Sequence, residues 1–487
     1  MKSYKLFIGG KWVNSSSKET FDTLNPATEK PLAIFQKGNS DDVDKAVEAA
    51  TKAYKKWNKV PPPKRGQILF RFAEILKKHK EELSKLVTTE MGKVISEGRG
   101  DVQEAIDTAE YFAAEGRRLF GHTTTSELRD KFAMTIRRPV GVFGLITPWN
   151  FPTAIPAWKI LPALICGNTV VFKPATDTPL CATRFVELLE NAGVPPGVVN
   201  MVTGSGRGVG TPIVKHHDIR GISFTGSKET GEFITREAGI KKVGMELGGK
   251  NGIIVMPDAN LSLVEDGVIW GAFGTTGQRC TATSRVIVLE EVLEKFEKRI
   301  VARTEKLRLG SGLLSTTDVG PLINKAAVKK THDYTEIGKE QGAKLLTGGE
   351  IPSGKGFFYK PTIFTNVASD MRIAQEEIFG PSLSIISVKN LDEAIDVMNS
   401  IQYGLSSAIY TQDVDCAFRA IHEIEAGLTY VNSSTIGSEV HLPFGGVKGT
   451  GHTKEAGIHG LDEFSEVKTV YVDYSGKLQK AQIDDVE

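Results

Sequence analysis

The segment GAFGTTGQRCTATSR, Gly271 to Arg285, sets Cys280 between Arg279 and Thr281, behind small residues expected to keep the chain mobile. A thiol in a core is a small inert hydrophobe. One beside a positive charge and backbone N–H groups can have a depressed pKa and act as a nucleophile. The other cysteines are Cys166, Cys181 and Cys416, and a single cysteine decides nothing by itself. Four further pieces carry chemistry. TPWNFP places Asn150 after a strand, with Pro148 and Pro152 stiffening the turn; VVFKPAT ends a strand at Lys173. FTGSKETG passes from a strand through Gly226 and Ser227 into a helix, and MELGGKN puts Glu246 ahead of a glycine pair. Each also has a plain reading: a turn residue, an exposed strand end, a helix cap and a solvated carboxylate. GSGRGVG, Gly204 to Gly210, has glycines at alternate positions and does not fit GxGxxG.

The elements that must hold these residues follow from pattern. LFIGGKWVNSSSKETFDTLNPAT alternates and turns like a β-hairpin. Ser40 is expected to cap a helix bearing Val43, Val47, Ala50, Ala53 and Trp57, which Pro61 to Pro63 break. One long helical segment is expected from about Lys64 to Leu86. From Gly141 onward, VGVFGLITP, NTVVFKP, VVNMVTG, GISFTGS and NGIIVM read as buried strands alternating with helices, hence a parallel sheet covered on both faces. Ligands bind such sheets at the carboxyl ends of the strands, where Asn150, Lys173 and Ser227 fall. After Gly252 a second α/β segment is built on RVIVLEE, PTIFTNV, SLSIISV and SSAIYT. RDKFAMTIRRPVG and EVKTVYVDYS alternate outside any βαβ unit, so another chain or segment must cover their edges.

Composition excludes several classes. Sixty basic residues against 59 acidic ones, interspersed, leave no single-sign stripe for nucleic acid or a membrane surface. Four scattered cysteines without CxxC spacing imply neither a disulfide framework nor a zinc site, which fits a reducing compartment. His216 and His217 are adjacent, and His441, His452 and His459 lie near the C-terminus; they read as solvated, and no metal is expected. MKSYKLFIGGKW lacks a signal peptide's apolar run and no stretch is long enough to span a bilayer, so a cytoplasmic protein is expected.

Taken in order, PWNFP, FKPA, FTGS, ELGGK, GQRC, EEIFGP and PFGGVKGTG resemble the aldehyde dehydrogenase superfamily over essentially the whole chain. The resemblance implies a Rossmann-like cofactor-binding domain (1–122 and 141–249), an α/β catalytic domain (250–450) and a β-arm for oligomerisation (123–140 and 467–487). It implies that Cys280 attacks an aldehyde to form a thiohemiacetal, with the Asn150 amide and the Cys280 N–H holding the oxyanion. Hydride then passes to a nicotinamide, and Glu246 activates the water that hydrolyses the thioester. Relatives that pass the acyl group to coenzyme A typically lack this glutamate. The implied NAD or NADP contacts are Ile146, Thr147, Trp149, Lys173 at the adenosine ribose, Thr176, Gly206, Gly226, Ser227 at the pyrophosphate, Leu247, Glu377 and Phe379. NAD-specific relatives often carry a glutamate where this chain has Thr176; a hydroxyl can donate to a 2′-phosphate that a carboxylate would repel, so NADP should be accepted.

NFPTAIPAWKILPAL, TTGQRCTATSR and EVKTVYVDYSGKLQKAQID look most like the 2,5-dioxopentanoate (α-ketoglutaric semialdehyde) dehydrogenases within the superfamily. Arg279 and Phe444 are the expected substrate contacts, although Arg279 also reads as a tuner of the thiol or a structural ion pair. Non-phosphorylating glyceraldehyde-3-phosphate dehydrogenases also carry that arginine. Succinic semialdehyde dehydrogenases commonly have arginine where this chain has Trp158, and a second cysteine where it has Ala282. A catalytically silent binding or structural member would have lost Cys280 or Glu246, and both are present. The expected partners are a small aldehyde and further copies of the chain in a dimer or tetramer, with no nucleic acid and no membrane.

Overall fold

The computed structural model describes residues 1–483 and is carried by two seven-stranded sheets. In the first, Lys242–Glu246, Ile219–Thr225, Val142–Ile146, Thr169–Lys173 and Val199–Met201 lie side by side and parallel. The hairpin Leu6–Ile8 and Lys11–Val13 closes one edge antiparallel. After that hairpin the chain returns to the sheet at Val142–Ile146, builds outward to Val199–Met201, then crosses to the other side for Ile219–Thr225. The strand order therefore reverses between Val142–Ile146 and Ile219–Thr225, and the loops leaving such a switch point diverge to leave a crevice. Those loops carry Trp149 and Asn150 from one strand and Gly226 and Ser227 from the other.

The second sheet runs Lys344–Thr347, Thr362–Thr365, Ser382–Val388, Thr283–Leu289, Asn251–Val255, Ser406–Tyr410 and Leu428–Val431, parallel except at its first pair. Asn251–Val255 thus belongs here and not with the strands that precede it. The first sheet is completed instead by Lys242–Glu246, an edge strand whose first two residues are half-buried and which therefore shows no apolar run. Only Leu247 to Lys250 separate the two strands. The carboxyl end of the first sheet consequently faces the amino end of the second.

Two local expectations change. Asn39, not Ser40, caps the first helix: its side chain accepts from the Asp42 N–H while Asp42 returns to the Asn39 N–H. The segment from Lys64 is two helices, Pro62–Lys78 and Lys80–Met91, parted at His79. Leu69, Phe72, Leu76, Leu83 and Val87 are all buried on one core, so the apolar periodicity continues across a break it does not register. The two orphan segments cover each other. Lys131–Pro139 pairs antiparallel with Ser465–Asp473 from Lys131↔Asp473 to Pro139↔Ser465, with Thr123–Thr125 on its far side. Of the expected arm, residues 484–487 lie outside the described residues.

Candidate active site

Cys280 sits where the helix Leu261–Phe273 turns towards the strand Thr283–Leu289. The turn is pinned, not mobile. Thr275 (φ 50°), Thr276 (φ 58°) and Gly277 (φ 69°) are three consecutive left-handed residues, a conformation that costs a non-glycine residue about 1–3 kcal/mol and persists only when its surroundings hold it. The clamps are explicit. Glu97 accepts from the Thr275 N–H (2.8 Å), the Thr276 hydroxyl donates to the Gly320 carbonyl (3.0 Å), and Gln278 accepts from the Ile323 N–H (2.9 Å). A Cβ on Gly277 would lie 2.3 Å from the Gly380 oxygen, which only glycine avoids. Asn251 holds the other side, donating to the Cys280 carbonyl at 2.7 Å.

Asn150 reaches this turn from the switch-point crevice, its Nδ2 donating to the Gln278 carbonyl at 3.0 Å. An amide nitrogen has two protons, so a second remains for a ligand oxygen. Cys280 lies at the meeting of two cavities. One, of about 240 Å³, is lined by Trp149, Asn150, Gly226, Ser227, Leu247, Glu377 and Phe379 among others. The second, of about 140 Å³, is lined by Phe151, Trp158, Glu246, Trp270, Arg279 and Phe444 among others. The Trp158 and Phe444 rings meet edge-on, 4.8 Å apart, as one wall of the second.

The electrostatics differ from the expectation for a thiol beside an arginine. Arg279 pairs with Glu97 (3.0 Å) and donates to the Thr275 hydroxyl (2.9 Å), so its charge is committed there. Burial pushes the Cys280 thiol up to about 12, helped by the Glu246 and Glu377 carboxyls and opposed by the N–H groups of Thr281 and Cys280 itself. Glu246 is likewise held well above the carboxylate range by burial and then by Glu455, with Lys159 opposing. Both Glu246 oxygens are buried and have no hydrogen-bond partner among the described residues. Gly445 makes their room, since a Cβ there would lie 2.6 Å from Oε1.

Behind Glu246 lies a buried group that pattern reading missed. Lys159 pairs with Glu455 and donates to the Ser223 hydroxyl at 2.8 Å, and burial raises neighbouring Glu463 to about 7. A signal existed. AIPAWKILPALIC is a helix buried on every side, so its single lysine must have a partner inside the protein. Glu97 carried no comparable signal, because its link to Arg279 spans 182 residues.

The first cavity fits a dinucleotide on this structure's own terms. Ser227 caps the ten-residue helix Lys228–Glu237, leaving first-turn N–H groups to meet a phosphate. A Cβ on Gly226 would strike the Phe224 ring at 2.4 Å, and one on Gly248 would meet Glu377 at the same distance. Glu377 accepts from the Gly249 N–H (2.9 Å) with one oxygen, leaving the other for a hydroxyl. Buried Thr225 Oγ1 and Asn150 Oδ1 have no partner among the described residues, as expected of groups that await a ligand. Phe379 (φ 62°) meets Trp149 edge-on at 5.5 Å. Lys173, Ile146 and Thr147 lie outside this cavity, together at adjacent strand ends: the Thr147 N–H donates to the Lys173 carbonyl (3.2 Å), and Lys173 and Ile146 both pack beside Gly210. Burial lowers Lys173 to about 8. Thr176 follows Lys173 in the same loop, and Gly206 opens the short turn Gly206–Gly210. Among the described residues, His216, His217 and Asp218 bring potential metal ligands within 4.8 Å. However, His216 Nδ1 accepts from the Asp218 N–H, and its Nε2 lies 3.5 Å from Asp44.

The half-buried Cys280 thiol thus lies between a cleft that fits a dinucleotide and a pocket walled by aromatic rings. Residues 12–470 match the aldehyde dehydrogenase family, and the chain belongs to that family. It is similar to the α-ketoglutaric semialdehyde dehydrogenase of Bacillus subtilis, 41% identical over 96% of this chain and 98% of that protein. It is equally similar to the 2,5-dioxopentanoate dehydrogenase of Saccharolobus solfataricus, 42% identical over 97% and 99%. Its fold matches a betaine aldehyde dehydrogenase point mutant from Staphylococcus aureus in complex with NAD+, with TM-score 0.96, 33% identity and 98% and 99% of the two chains covered. It also matches a 3,6-anhydro-L-galactose dehydrogenase in complex with NADP, with TM-score 0.94, 34% identity and 97% and 100% covered. The reaction class is therefore NAD(P)-dependent oxidation of an aldehyde. No helix among the described residues is long and apolar enough to cross a membrane.

Proposed function

We propose that this chain oxidises 2,5-dioxopentanoate, or a closely related acidic semialdehyde, to the free carboxylic acid. The observation that carries the reading is the position of Cys280 at the junction of the two cavities, with the unpartnered Glu246 carboxyl lining the second. As a thiolate, the Cys280 sulfur adds to the aldehyde carbon, and the resulting oxyanion is met by the spare Asn150 N–H and the Cys280 N–H. The bound cofactor supplies a hydride acceptor. Loss of hydride leaves the acyl group on Cys280 as a thioester. Glu246 then takes one proton from water as the water oxygen attacks the acyl carbon; the carbon–sulfur bond breaks and the acid departs. Retention of Glu246 favours water over coenzyme A as acceptor, and retention of both groups disfavours a catalytically silent protein.

The substrate assignment draws on relatives that bear those names and on the tunnel. Its arginine is already paired with Glu97, which leaves little positive charge for the dianion of glyceraldehyde-3-phosphate. Trp158 occupies a wall position and narrows the case for succinic semialdehyde. Thr176 supports acceptance of NADP alongside NAD. We assign cofactor binding to 1–122 and 141–249, catalysis to 250–450 and oligomer contact to the arm, in a cytoplasmic homo-oligomer (dimer or tetramer). The strands of the two large sheets fall on either side of 249/250. In the arm Phe132, Val467 and Tyr471 are 43%, 66% and 65% exposed, an apolar edge that suits a second copy. The test is a panel of semialdehydes, neutral aldehydes and phosphorylated aldehydes with each cofactor. The highest kcat/KM is expected for 2,5-dioxopentanoate, and a clear preference for a neutral or phosphorylated aldehyde overturns the substrate assignment.

A further inference from the structure

The helix Ile95–Glu115 presents three carboxylates on one stripe towards the active site, Glu97, Asp101 and Glu104, at the four- and three-residue spacing that stacks side chains on one helical face. Two are engaged by other residues. Glu97 holds Arg279 (3.0 Å) and the Thr275 N–H (2.8 Å). Asp101 pairs with buried Lys93 (3.2 Å) and accepts from the Ala154 N–H (2.7 Å) at the start of the helix that carries Trp158. Glu104 alone has no side-chain hydrogen bond to any described residue, and it lines the tunnel that leads to Cys280. Arg279 lines the same tunnel. It commits two of its five N–H donors, one to Thr275 and one to Glu97, and three remain. Both cations lie near the Phe151 ring, with Lys93 Nζ 3.6 Å and the Arg279 guanidinium carbon 5.6 Å from its centre.

We propose that Glu104 is a specificity-determining residue which, together with the free N–H groups of Arg279, binds the carboxylate or 2-oxo end of an acidic aldehyde while its other end meets Cys280. The inference rests on the substrate class given under Proposed function and names the side chain that selects it. The charge balance requires Glu104 to be neutral. Lys93 with Asp101 and Arg279 with Glu97 each sum to zero, so these pairs leave no net charge beside a bound monoanion, which takes a hydrogen bond from the Glu104 carboxyl. A phosphate dianion, or an ionised Glu104, would place a second uncompensated negative charge in a buried site. Burial and then Asp101 raise Glu104 to about 8, with Lys93 and Arg279 opposing and Asp107 adding; Glu246 and Glu455 line the same tunnel.

The test compares wild type, Glu104→Gln and Glu104→Leu with 2,5-dioxopentanoate and with pentanal, a neutral aldehyde of the same chain length. Glutamine keeps a neutral donor and should leave both KM values near wild type. Leucine should raise KM for the acidic aldehyde about 10–100-fold, as expected for one lost hydrogen bond to a charged group, while KM for pentanal stays unchanged. In wild type, KM for the acidic aldehyde should climb above pH 8 as Glu104 ionises, and the glutamine variant should lose that climb. Parallel changes for both aldehydes, no change in the leucine variant, or the same climb in the glutamine variant would overturn the assignment of Glu104. A wild type that prefers pentanal would instead overturn the substrate class itself.

Discussion

The Arg279 guanidinium stands 3.0 Å from the Glu97 carboxylate, and this pair, 11% and 13% exposed, ties the residue before Cys280 to the helix Ile95–Glu115. Glu97 also receives the Thr275 N–H, so one carboxylate holds both ends of the strained turn that leads into Cys280, the proposed nucleophile. The arginine thus positions the sulfur more than it activates it. Glu97→Gln should destabilise the protein by about 3–5 kcal/mol, the cost of leaving one partner of a buried pair alone, and should lower kcat. Urea denaturation beside steady-state kinetics checks this. Unchanged stability would mean that the turn holds itself.

Glu246→Gln should separate the two halves of the reaction. The first equivalent of reduced cofactor should still form on Cys280, and turnover should then stall, with kcat down about 10²–10⁴-fold. Rapid-mixing absorbance reads the burst directly. A variant that loses burst and turnover together would place Glu246 before hydride transfer.

The pH response follows from the raised carboxyl. Because burial and Glu455 hold Glu246 above its ordinary range, it holds its proton to higher pH than a free carboxylate does, and its base form grows as pH rises. Hydrolysis should therefore accelerate from acid through neutral to alkaline pH and be lost as pH falls. The Cys280 thiol, pushed up to about 12, moves the first step in the same direction. A kcat profile that declines above neutral pH contradicts this order.

Thr176→Glu should move cofactor preference towards NAD by about tenfold or more, since a carboxylate beside a 2′-phosphate is a like-charge contact. The ratio of kcat/KM values for NAD and NADP reports it. An unmoved ratio would place the phosphate elsewhere.

The parallel sheets were legible because buried strands such as Val142–Ile146 and Thr169–Lys173 are continuous apolar runs. The residues at their carboxyl ends then fell into place by topology. What pattern could not show was contact at long range. Glycines and threonines before Cys280 read as mobile, yet Thr275 to Gln278 are buried and held by residues from two other parts of the chain, Glu97 and the segment 320–323. Asn251–Val255 read as one more strand of the first sheet because a run of five buried residues carries no mark of which sheet receives it. The two alternating segments of the arm gave no hint of pairing with each other across more than 300 residues, as Arg137 and Ser465 do.

The most direct test is mass spectrometry of the protein quenched during turnover with 2,5-dioxopentanoate, ideally in the Glu246→Gln background where the acyl group should persist. One acyl adduct per chain is expected on the peptide that contains Cys280, absent from Cys280→Ala. An adduct on Cys166, Cys181 or Cys416, or turnover that survives in Cys280→Ala, would contradict it.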